Sequence, residues 1–571
     1  MRKNFFTTAT MAALCLTFVL SAFVLPDDIQ AQTDGTAKPL DQTQLVKDID
    51  SLLDTSFASD QPGAAVIVLR GGEVVYKSAR GMANLELQVP LTEDMVFRIG
   101  SMTKQFTSAA IMLLVEEDKI SVTDEITRFL PDYPTQGATI TVEHLLTHTS
   151  GIRSYTSMPG WMDTKIVNPM TVEELVDGFK NEPMDFQPGA EFRYNNSGYV
   201  LLGAIIEAAS GQTYAEFIQQ RIFDPLQMKN SYYGEHAAII RNRVPGYDGS
   251  IDDPQNARYL SMTQPYAAGS LLSTVEDLGK WDTALFAGEV VGKDSLARMI
   301  TNYKLSDDSL AGYGYGLMPG DIRGHKAIVH GGGIFGFVTH GVHLPDDDVY
   351  VAVLCNSSGL NPGSVGTKIA AMAAGDPFPV FEKITVAVEV LKRYVGVYKI
   401  DEKSRRYVTV KDGQLYTKRS DGSRLAASPS SETTFFYDVS PSHFEFVIDE
   451  QDNVTGMQMY QGGSKTAEVA VRVDEEMPAE REVAVIDFAV YDDYVGEFEL
   501  APGFSITISR DGERLLGQAT GQPEFELFPA SETVFFLTVV DAELSFVRNE
   551  NGEVNNIVLD QGGAKMPGVR K

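Results

Sequence analysis

A serine and a lysine three residues apart, Ser101 and Lys104, are the residues in this sequence best suited to acyl-transfer chemistry. They precede a long apolar stretch, residues 106–115, which predicts a buried helix. Side chains at i and i+3 of a helix share a face, about 5–6 Å apart between Cβ atoms, so the two would lie side by side. A serine hydroxyl is a poor nucleophile until a base takes its proton. A lysine, together with a tyrosine whose pKa that lysine can lower, is one way to supply the base.

Two later segments offer the partners that such a site needs. Tyr194 and Asn196 belong to a Tyr-Asn-Asn-Ser-Gly run, whose composition favours a loop over a core position. His330 begins a His-Gly-Gly-Gly run between β-branched and aromatic residues. This pattern predicts an edge strand that lines a pocket, where consecutive glycines allow close approach to the backbone.

In this order, the three motifs resemble those of the serine β-lactamase and penicillin-binding-protein superfamily, in its class C-like, esterase and D-aminopeptidase branch. Further similar segments are Leu-Leu-Thr-His-Thr-Ser-Gly at 145–151 and Gly-Ser-Leu-Leu-Ser-Thr at 269–274, and the resemblance spans roughly residues 45–375. It implies an α/β sandwich, in which an antiparallel sheet carries an inserted all-helical region. The active site would lie in the crevice between the two halves.

The resemblance also implies a role for each residue of the site. Ser101 would attack a carbonyl carbon and form an acyl-enzyme, beside Lys104 held near the border of ionisation. Tyr194 would be the general base for acylation and would return the proton to the leaving group, an effect typically worth about 10²–10⁴-fold. Asn196 would bind Lys104 and the substrate.

The strand at His330 departs from the usual family pattern, which has Lys-Thr-Gly or Lys-Ser-Gly there. A histidine is neutral for much of the time near pH 7, so it would attract an anionic antibiotic less strongly than lysine does. The sequence therefore leans away from efficient β-lactam hydrolysis. By resemblance, His330 and Gly332 would bind substrate, and the backbone amides of Ser101 and Gly333 would form the oxyanion hole.

These observations predict an exported serine hydrolase acting through an acyl-enzyme on a small ester, amide or peptide. An esterase and a D-amino-acid-specific peptidase are the leading candidates, and a β-lactamase or D,D-peptidase is the alternative. A non-catalytic penicillin-binding-like sensor is a distant alternative, because the catalytic residues are intact. No cofactor and no metal are predicted, since His144 and His148 have no carboxylate or cysteine at ligand spacing.

Charge and the amino terminus indicate where the protein works. A net charge of −31 over 571 residues disfavours nucleic acid and anionic lipid as partners. Arg2 and Lys3 precede a short apolar run, so residues 1–31 are predicted to be a signal peptide, with an uncleaved anchor as the alternative. We expect a periplasmic or secreted protein without stable membrane insertion after cleavage. The cleaved chain would keep Cys355 as its one cysteine and form no internal disulfide.

The carboxy-terminal third contains an internal repeat with a period of about 100 residues. The segment at Tyr394 returns at Tyr494, and Ser-Glu-Thr runs recur at 431–433 and 531–533. Alternating runs between turn residues predict two small antiparallel β-barrels at 386–474 and 486–571, after a hydrolase domain at 40–375. The Asp-Gly pairs at 412–413 and 511–512 are one residue out of register, which predicts one insertion or deletion between the copies.

The two barrels resemble the lipocalin-like barrels that some D-stereospecific aminopeptidases of this superfamily carry. Two roles remain open for them at this stage. They are either structural or oligomerising appendages, or they lend a loop that shapes the active site. The sequence leaves the oligomeric state open.

Overall fold

The fold comprises one α/β domain and two closed eight-stranded antiparallel barrels, which confirms the predicted fold class. The computed structural model describes residues 41–420, 422–438, 440–478, 483–501, 504–520, 524–538, 540, 542–561 and 564–571. The predicted signal peptide lies outside these residues. Within them, no helix has both the length and the apolar character needed to cross a membrane.

The structure describes twelve α-helices, of which the first ten belong to the α/β domain. They are α1 (Gln42–Ser56), α2 (Thr103–Glu116), α3 (Val142–Leu146), α4 (Val172–Asp177), α5 (Asn196–Ser210), α6 (Tyr214–Ile218), α7 (Tyr266–Gly269), α8 (Val275–Ala287), α9 (Lys293–Ile300), α10 (Pro362–Ala373), α11 (Val388–Arg393) and α12 (Tyr491–Tyr494). Helix α2 is buried along most of its length, as its apolar sequence predicts. The side chain of Asn195 caps α5 by accepting a hydrogen bond from the Gly198 amide.

The strands of the α/β domain are β1 (Ala64–Arg70), β2 (Glu73–Arg80), β3 (Met82–Asn84), β4 (Val89–Pro90), β5 (Phe97–Arg98), β6 (Tyr232–Tyr233), β7 (Tyr247–Ser250), β8 (Asp253–Asn256), β9 (Leu271–Ser273), β10 (Met318–Ile322), β11 (His325–Ile334), β12 (Phe337–Leu344) and β13 (Val349–Cys355). Six of them form one antiparallel sheet in the order β10-β11-β12-β13-β1-β2. The strand that contains His330, β11, thus belongs to the antiparallel sheet that the resemblance implies.

Two neighbouring interior strands of this sheet, β1 and β13, are apolar on both faces because helices cover both sides. Ile67 and Leu69 face α8, where a Cβ added at Gly279 would lie 3.1 Å from a Leu69 methyl. Val353 faces α10 on the opposite side, next to Gly366. Burial on both faces explains why these strands have continuous apolar sequences instead of an alternating pattern.

The first barrel (barrel 1) is formed by β14 (Gly396–Lys399), β15 (Arg405–Lys411), β16 (Gln414–Arg419), β17 (Arg424–Pro429), β18 (Thr434–Phe436), β19 (His443–Ile448), β20 (Val454–Tyr460) and β21 (Glu468–Val473). The second (barrel 2) is formed by β22 (Gly496–Ala501), β23 (Phe504–Asp511), β24 (Arg514–Ala519), β25 (Glu524–Pro529), β26 (Val534–Phe536), β27 (Ala542–Arg548), β28 (Val554–Gln561) and β29 (Ala564–Arg570).

The registers of the two barrels correct one detail of the predicted repeat. Val408 pairs with Thr417 in barrel 1, and Ile508 pairs with Gly517 in barrel 2. The first hairpins of both copies therefore keep an offset of 100 residues, and the proposed insertion or deletion at their turn is wrong. The two Asp-Gly pairs differ because Asp511 ends a strand, whereas Asp412 lies in the turn.

Candidate active site

The nucleophile candidate lies where a short 3₁₀ helix, Gly100–Met102, continues into α2. This junction places the Lys104 Nζ atom 3.1 Å from the Ser101 Oγ atom. Lys104 is fully buried, and its Nζ also contacts the Asn196 Oδ1 atom at 2.8 Å and the Ala268 carbonyl oxygen at 2.9 Å. The structure therefore brings Ser101, Lys104 and Asn196 together as the sequence predicts.

Burial makes the Lys104 amine easier to deprotonate than an exposed lysine. Desolvation holds its pKa well below the ordinary value, because the charged form loses the stabilisation that water gives it. A neutral amine has two N–H donors and one lone pair. Lys104 Nζ donates to the oxygens of Ser101, Asn196 and Ala268. When the amine has lost a proton, the oxygens of Asn196 and Ala268 can hold its two N–H groups, and its lone pair then faces the Ser101 hydroxyl. This arrangement suits Lys104 to act as a base toward Ser101.

Tyr194 lies over the same lysine, with its ring centre 4.7 Å from the Lys104 Nζ atom. Desolvation raises the pKa of Tyr194 above its ordinary value, and a hydrogen bond with the Ser101 side chain only partly opposes this. The net direction is opposite to the lowering expected from the lysine, whose own effect on the tyrosine pKa stays a prediction. A tyrosine with a raised pKa is a protonated phenol near neutral pH, which suits it to donate a proton.

Two aromatic residues that the sequence analysis did not assign to the site support Tyr194. The His148 ring lies 4.3 Å from the Tyr194 ring and 4.6 Å from the Tyr313 ring, measured between centroids. The His148 Nδ1 atom accepts the Asn195 amide, which fixes the start of the Tyr-Asn-Asn segment. His148 belongs to the Leu-Leu-Thr-His-Thr-Ser-Gly turn, and through these contacts the turn supports the segment that carries Tyr194. The turn motif was visible in the sequence, but its contact with Tyr194 was not.

His330 lies beside the site with both ring nitrogens bonded inside the protein. The Gly331 carbonyl can only accept, so Nδ1 donates to it at 2.6 Å, and Nε2 then accepts the Tyr313 hydroxyl at 2.8 Å. Desolvation, assisted by the nearby charge of Lys104, lowers the pKa of His330 to about 3. His330 is therefore neutral. Its role in binding substrate stays a prediction, while the observed contacts make it a support for Tyr313.

The glycines after His330 let strand β11 approach the nucleophile segment closely. A Cβ added at Gly332 would lie 2.0 Å from the Ile99 carbonyl oxygen, and one at Gly100 would lie 3.0 Å from the Gly333 nitrogen. Strand β10 pairs with β11 only as far as Val329, so the following part of β11 is an edge, as predicted, and faces Gly100. Gly332 thus serves packing against Ile99, and the substrate contact assigned to it stays a prediction.

A cavity of about 320 Å³ opens at Ser101. Ser101 and Gly333 both line it, in keeping with the oxyanion hole assigned to their amides, which stays a prediction. Its wall is mostly apolar and includes Met162, Ile166, Leu260, Ile334, Phe335 and Phe337. Among the described lining residues, Asp248 is the one acidic side chain, and its carboxylate already accepts the backbone amides of Gly336 and Arg258. Such a cavity suits an apolar group beside the reacting carbonyl.

The described residues include no cluster of three or more histidine, cysteine or acidic side chains arranged to hold a metal ion. His144 instead takes part in the cap of α3, where its Nδ1 accepts the Thr141 amide.

The fold and this serine–lysine–tyrosine geometry are those expected of the β-lactamase family, whose members are serine hydrolases. The family described as Beta-lactamase matches residues 45–375, and the chain belongs to it. A domain of unknown function, DUF3471, matches residues 382–479 and again residues 480–567, in agreement with the two barrels.

Similar proteins differ in what their names say they do. Penicillin-binding protein 4* of Bacillus subtilis is 29% identical over 75% of this chain and 98% of its own. D-aminopeptidase of Gluconobacter oxydans is 29% identical over 56% of this chain and 60% of its own length. Esterase EstB of Burkholderia gladioli is 31% identical over 38% of this chain and 59% of its own length. The solved octameric penicillin-binding protein homologue of Pyrococcus abyssi is 28% identical, with a TM-score of 0.52 over 75% of this chain and 100% of its own.

Proposed function

We propose that this protein is an exported serine hydrolase that forms an acyl-enzyme at Ser101 with small, largely apolar esters or amides. The observation that carries the proposal is the buried amine of Lys104, whose pKa burial lowers, at 3.1 Å from the Ser101 hydroxyl. An esterase and a D-amino-acid-specific peptidase are the favoured forms, because relatives with those names share the family. β-Lactamase or D,D-peptidase activity is the second candidate, supported by the extent of similarity to penicillin-binding protein 4*.

The protonation states assign a direction to the proton transfers. Lys104 takes the Ser101 proton as the Oγ atom bonds to the substrate carbonyl carbon, and the resulting oxyanion lies by the amides of Ser101 and Gly333. Tyr194 gives its phenolic proton to the departing oxygen or nitrogen and recovers one from Lys104. Water then attacks the acyl-enzyme with proton transfer to the same groups, which releases the acid. This scheme makes Lys104 the base and Tyr194 the acid, whereas the sequence alone pointed to Tyr194 as the base.

The first test compares hydrolysis of p-nitrophenyl butyrate, D-alanine p-nitroanilide and nitrocefin by the full chain and by Ser101→Ala. Serine-dependent cleavage mainly of the ester identifies an esterase, and cleavage mainly of the anilide identifies a D-peptidase. Preference for nitrocefin would favour the β-lactamase alternative. Labelling with a fluorophosphonate is the control for a reactive serine. A wild-type protein that takes no label at Ser101, while a known relative does, would contradict the hydrolase proposal and favour the sensor.

Export and assembly are part of the same proposal. The basic head and apolar run within residues 1–31 support export, and sequencing the amino terminus of protein recovered outside the cytoplasm tests it. A full-length amino terminus on the recovered protein would contradict cleavage.

Because one solved relative is octameric, light scattering on the same preparation tests whether this chain also assembles.

A further inference from the structure

Asp248 is a half-buried side chain in the wall of the cavity at Ser101. It lies on β7, and hydrogen bonds of the preceding residue fix this strand against the end of β13. The Tyr247 amide donates to the Asn356 carbonyl oxygen at 3.0 Å, and the Ser358 amide donates to the Tyr247 carbonyl oxygen at 2.9 Å. The position of Asp248 in the cavity is therefore set by the six-stranded sheet.

The Asp248 carboxylate also holds the turn that follows strand β11. Its Oδ1 atom accepts the Gly336 amide at 2.9 Å, and its Oδ2 atom accepts the Arg258 amide at 3.3 Å. Gly336 lies three residues after Gly333, and three residues of chain span at most about 11 Å. Gly333 lines the cavity together with Ser101. A ligand in this cavity can therefore contact Asp248 while its carbonyl group lies at Ser101.

The negative charge of Asp248 is not balanced by a neighbouring cation. Among the described residues, no lysine, arginine or histidine side chain forms an ion pair with it. The Arg258 guanidinium instead pairs with Asp163 at 3.5 Å and lies 4.7 Å from the centre of the Phe335 ring. A carboxylate has about four lone-pair positions, so the two amides that it accepts leave about two unused. An ionised group beside apolar walls is costly without a partner, so this carboxylate favours a cationic hydrogen-bond donor inside the cavity.

We infer that the acyl group of the substrate carries a cationic amine, which Asp248 binds while the carbonyl group reacts at Ser101. This inference rests on the proposed function and narrows it to aminoacyl esters and amides. An ammonium group has three N–H donors and no acceptor, so it matches the unused lone pairs of the carboxylate. The apolar walls of the cavity hold the hydrocarbon part of the same acyl group. A plain aliphatic acyl group would cover the carboxylate without pairing it, which disfavours such a substrate.

The test measures binding by calorimetry to the full chain with Ser101→Ala, which prevents turnover. Two amides are compared, each with an analogue in which a methyl group replaces the ammonium group. D-Phenylalanine amide carries its amine next to the carbonyl group, and ε-aminocaproamide carries it at the far end of the acyl chain. The pH is about 6, where both amines are protonated. We expect at least one charged amide to bind at least about tenfold more tightly than its methyl analogue, because hydrogen bonds between charged groups are strong.

Asp248→Asn in the same background keeps an acceptor oxygen and removes the charge, so it should remove the preference for the charged amide. Asp253→Asn is the matched control. Asp253 is an exposed residue of β8, which pairs with β7, so this change removes the same charge outside the cavity and should leave the preference unchanged. Circular dichroism checks that each variant is folded. Asp248→Ser, which keeps a hydroxyl acceptor, keeps the test decisive if Asp248→Asn unfolds.

The outcomes distinguish this inference from the proposed function. A preference that persists in Asp248→Asn, or that Asp253→Asn also removes, would overturn the role of Asp248. Equal affinities within both pairs of ligands, or no binding of either charged amide, would overturn it as well. Fluorophosphonate labelling of Ser101 in the unmodified chain tests the proposed function by itself. Normal labelling without a preference for the charged amide would therefore reject only the aminoacyl substrate and leave the serine hydrolase intact.

Discussion

At the scale of single residues, the protonation state of Lys104 is the property that determines the chemistry. Its folded pKa is depressed relative to the unfolded value of about 10.4, so the neutral form is the one that the native structure favours. The stability contribution of this group is full above about pH 10.4 and is lost as pH falls toward the depressed folded pKa. Lys104 therefore lowers stability near neutral pH while it serves catalysis.

A buried-lysine substitution tests this linkage. Lys104→Met should abolish serine-dependent hydrolysis, because the base is lost. As pH falls from about 10 to 7, the melting temperature of wild type should decrease relative to that of Lys104→Met. The reason is that the unfolded wild-type chain gains a proton on Lys104 in this range, which favours unfolding, whereas the variant has no amine there. The control is Lys326→Met, whose lysine is exposed and should give a difference independent of pH. A pH-independent difference for Lys104→Met would contradict the lowered pKa of Lys104.

The role of Tyr194 predicts a dependence on the leaving group. An anilide nitrogen must be protonated as it departs, whereas p-nitrophenolate leaves readily without a proton. Tyr194→Phe should therefore reduce hydrolysis of the anilide by about 10²-fold or more and that of the p-nitrophenyl ester much less. The ratio of the two losses is the measurement, and the ester is the internal control. Equal losses for both substrates would instead favour Tyr194 as the base that activates Ser101.

The sequence predicted these partners but not their proton positions. The Ser-x-x-Lys spacing was enough to predict that Ser101 and Lys104 are adjacent, because helix geometry determines that distance. The pKa directions depend on burial by residues remote in sequence, such as Ala268 beside Lys104 and His148 beside Tyr194. A motif contains no information about that burial, which explains why the roles of base and acid were assigned differently from sequence.

At the scale of elements, the approach of strand β11 to the nucleophile segment positions the site. Gly332 and Gly333 are neighbours on this strand, but they differ in what a methyl group would meet. At Gly332 it would overlap the Ile99 carbonyl oxygen and the Thr339 hydroxyl, and at Gly333 it would meet no atom of the structure within 4 Å. The first glycine is therefore required for packing, whereas the second faces the cavity.

This difference gives a matched pair of variants. Gly332→Ala should lower the free energy of unfolding by about 1–3 kcal/mol, because β11 must move away from Ile99 to relieve the overlap. Gly333→Ala should leave the free energy of unfolding within about 0.5 kcal/mol of wild type. Chemical denaturation of both variants is the measurement. Similar stabilities would mean that β11 does not depend on this close approach.

The pattern of apolar residues predicted the interior strands of the sheet better than its edge strands. The continuous apolar runs of β1 and β13 reflect helices on both faces, so these strands were evident from the sequence. The expected edge character of the His330 strand holds for one half only, because β10 covers the other half. Strand β10 contains a proline and a glycine and has little apolar character, so no local pattern indicated it.

At the scale of the whole molecule, barrel 1 is attached to the catalytic sheet through Asp376. The Asp376 carboxylate contacts Arg323 at 3.2 Å, Lys465 at 2.5 Å and His325 at 3.4 Å. Arg323 also donates to the Gly463 carbonyl of barrel 1 at 2.7 Å. His325 is the first residue of β11, so the attachment lies at the start of the strand that continues to His330 and Gly333.

The sequence revealed the barrels through their repeat but could not reveal this attachment. A period of about 100 residues predicts two copies of one unit, because equivalent residues must occupy equivalent positions. The residues that join barrel 1 to the sheet come from three separate segments and follow no repeat. Lys465 lies in the last loop of barrel 1, where the copies differ in length, since barrel 2 has a shorter connection before β29.

The attachment predicts that Asp376 stabilises the protein as an ionised carboxylate. Burial raises its pKa, but Lys465 and Arg323 outweigh burial, so the folded pKa is lower than the unfolded one. Its contribution is therefore present above about pH 3.9 and is lost as pH falls through the lower folded pKa. Asp376→Ala should lower the free energy of unfolding at neutral pH by about 1–3 kcal/mol, since three cationic or hydrogen-bonding partners lose their acceptor.

Asp346→Ala is the matched control, because its pair with Lys326 is exposed and contributes about 0–1 kcal/mol. Equal denaturation midpoints for the two variants would show that barrel 1 is held by other contacts.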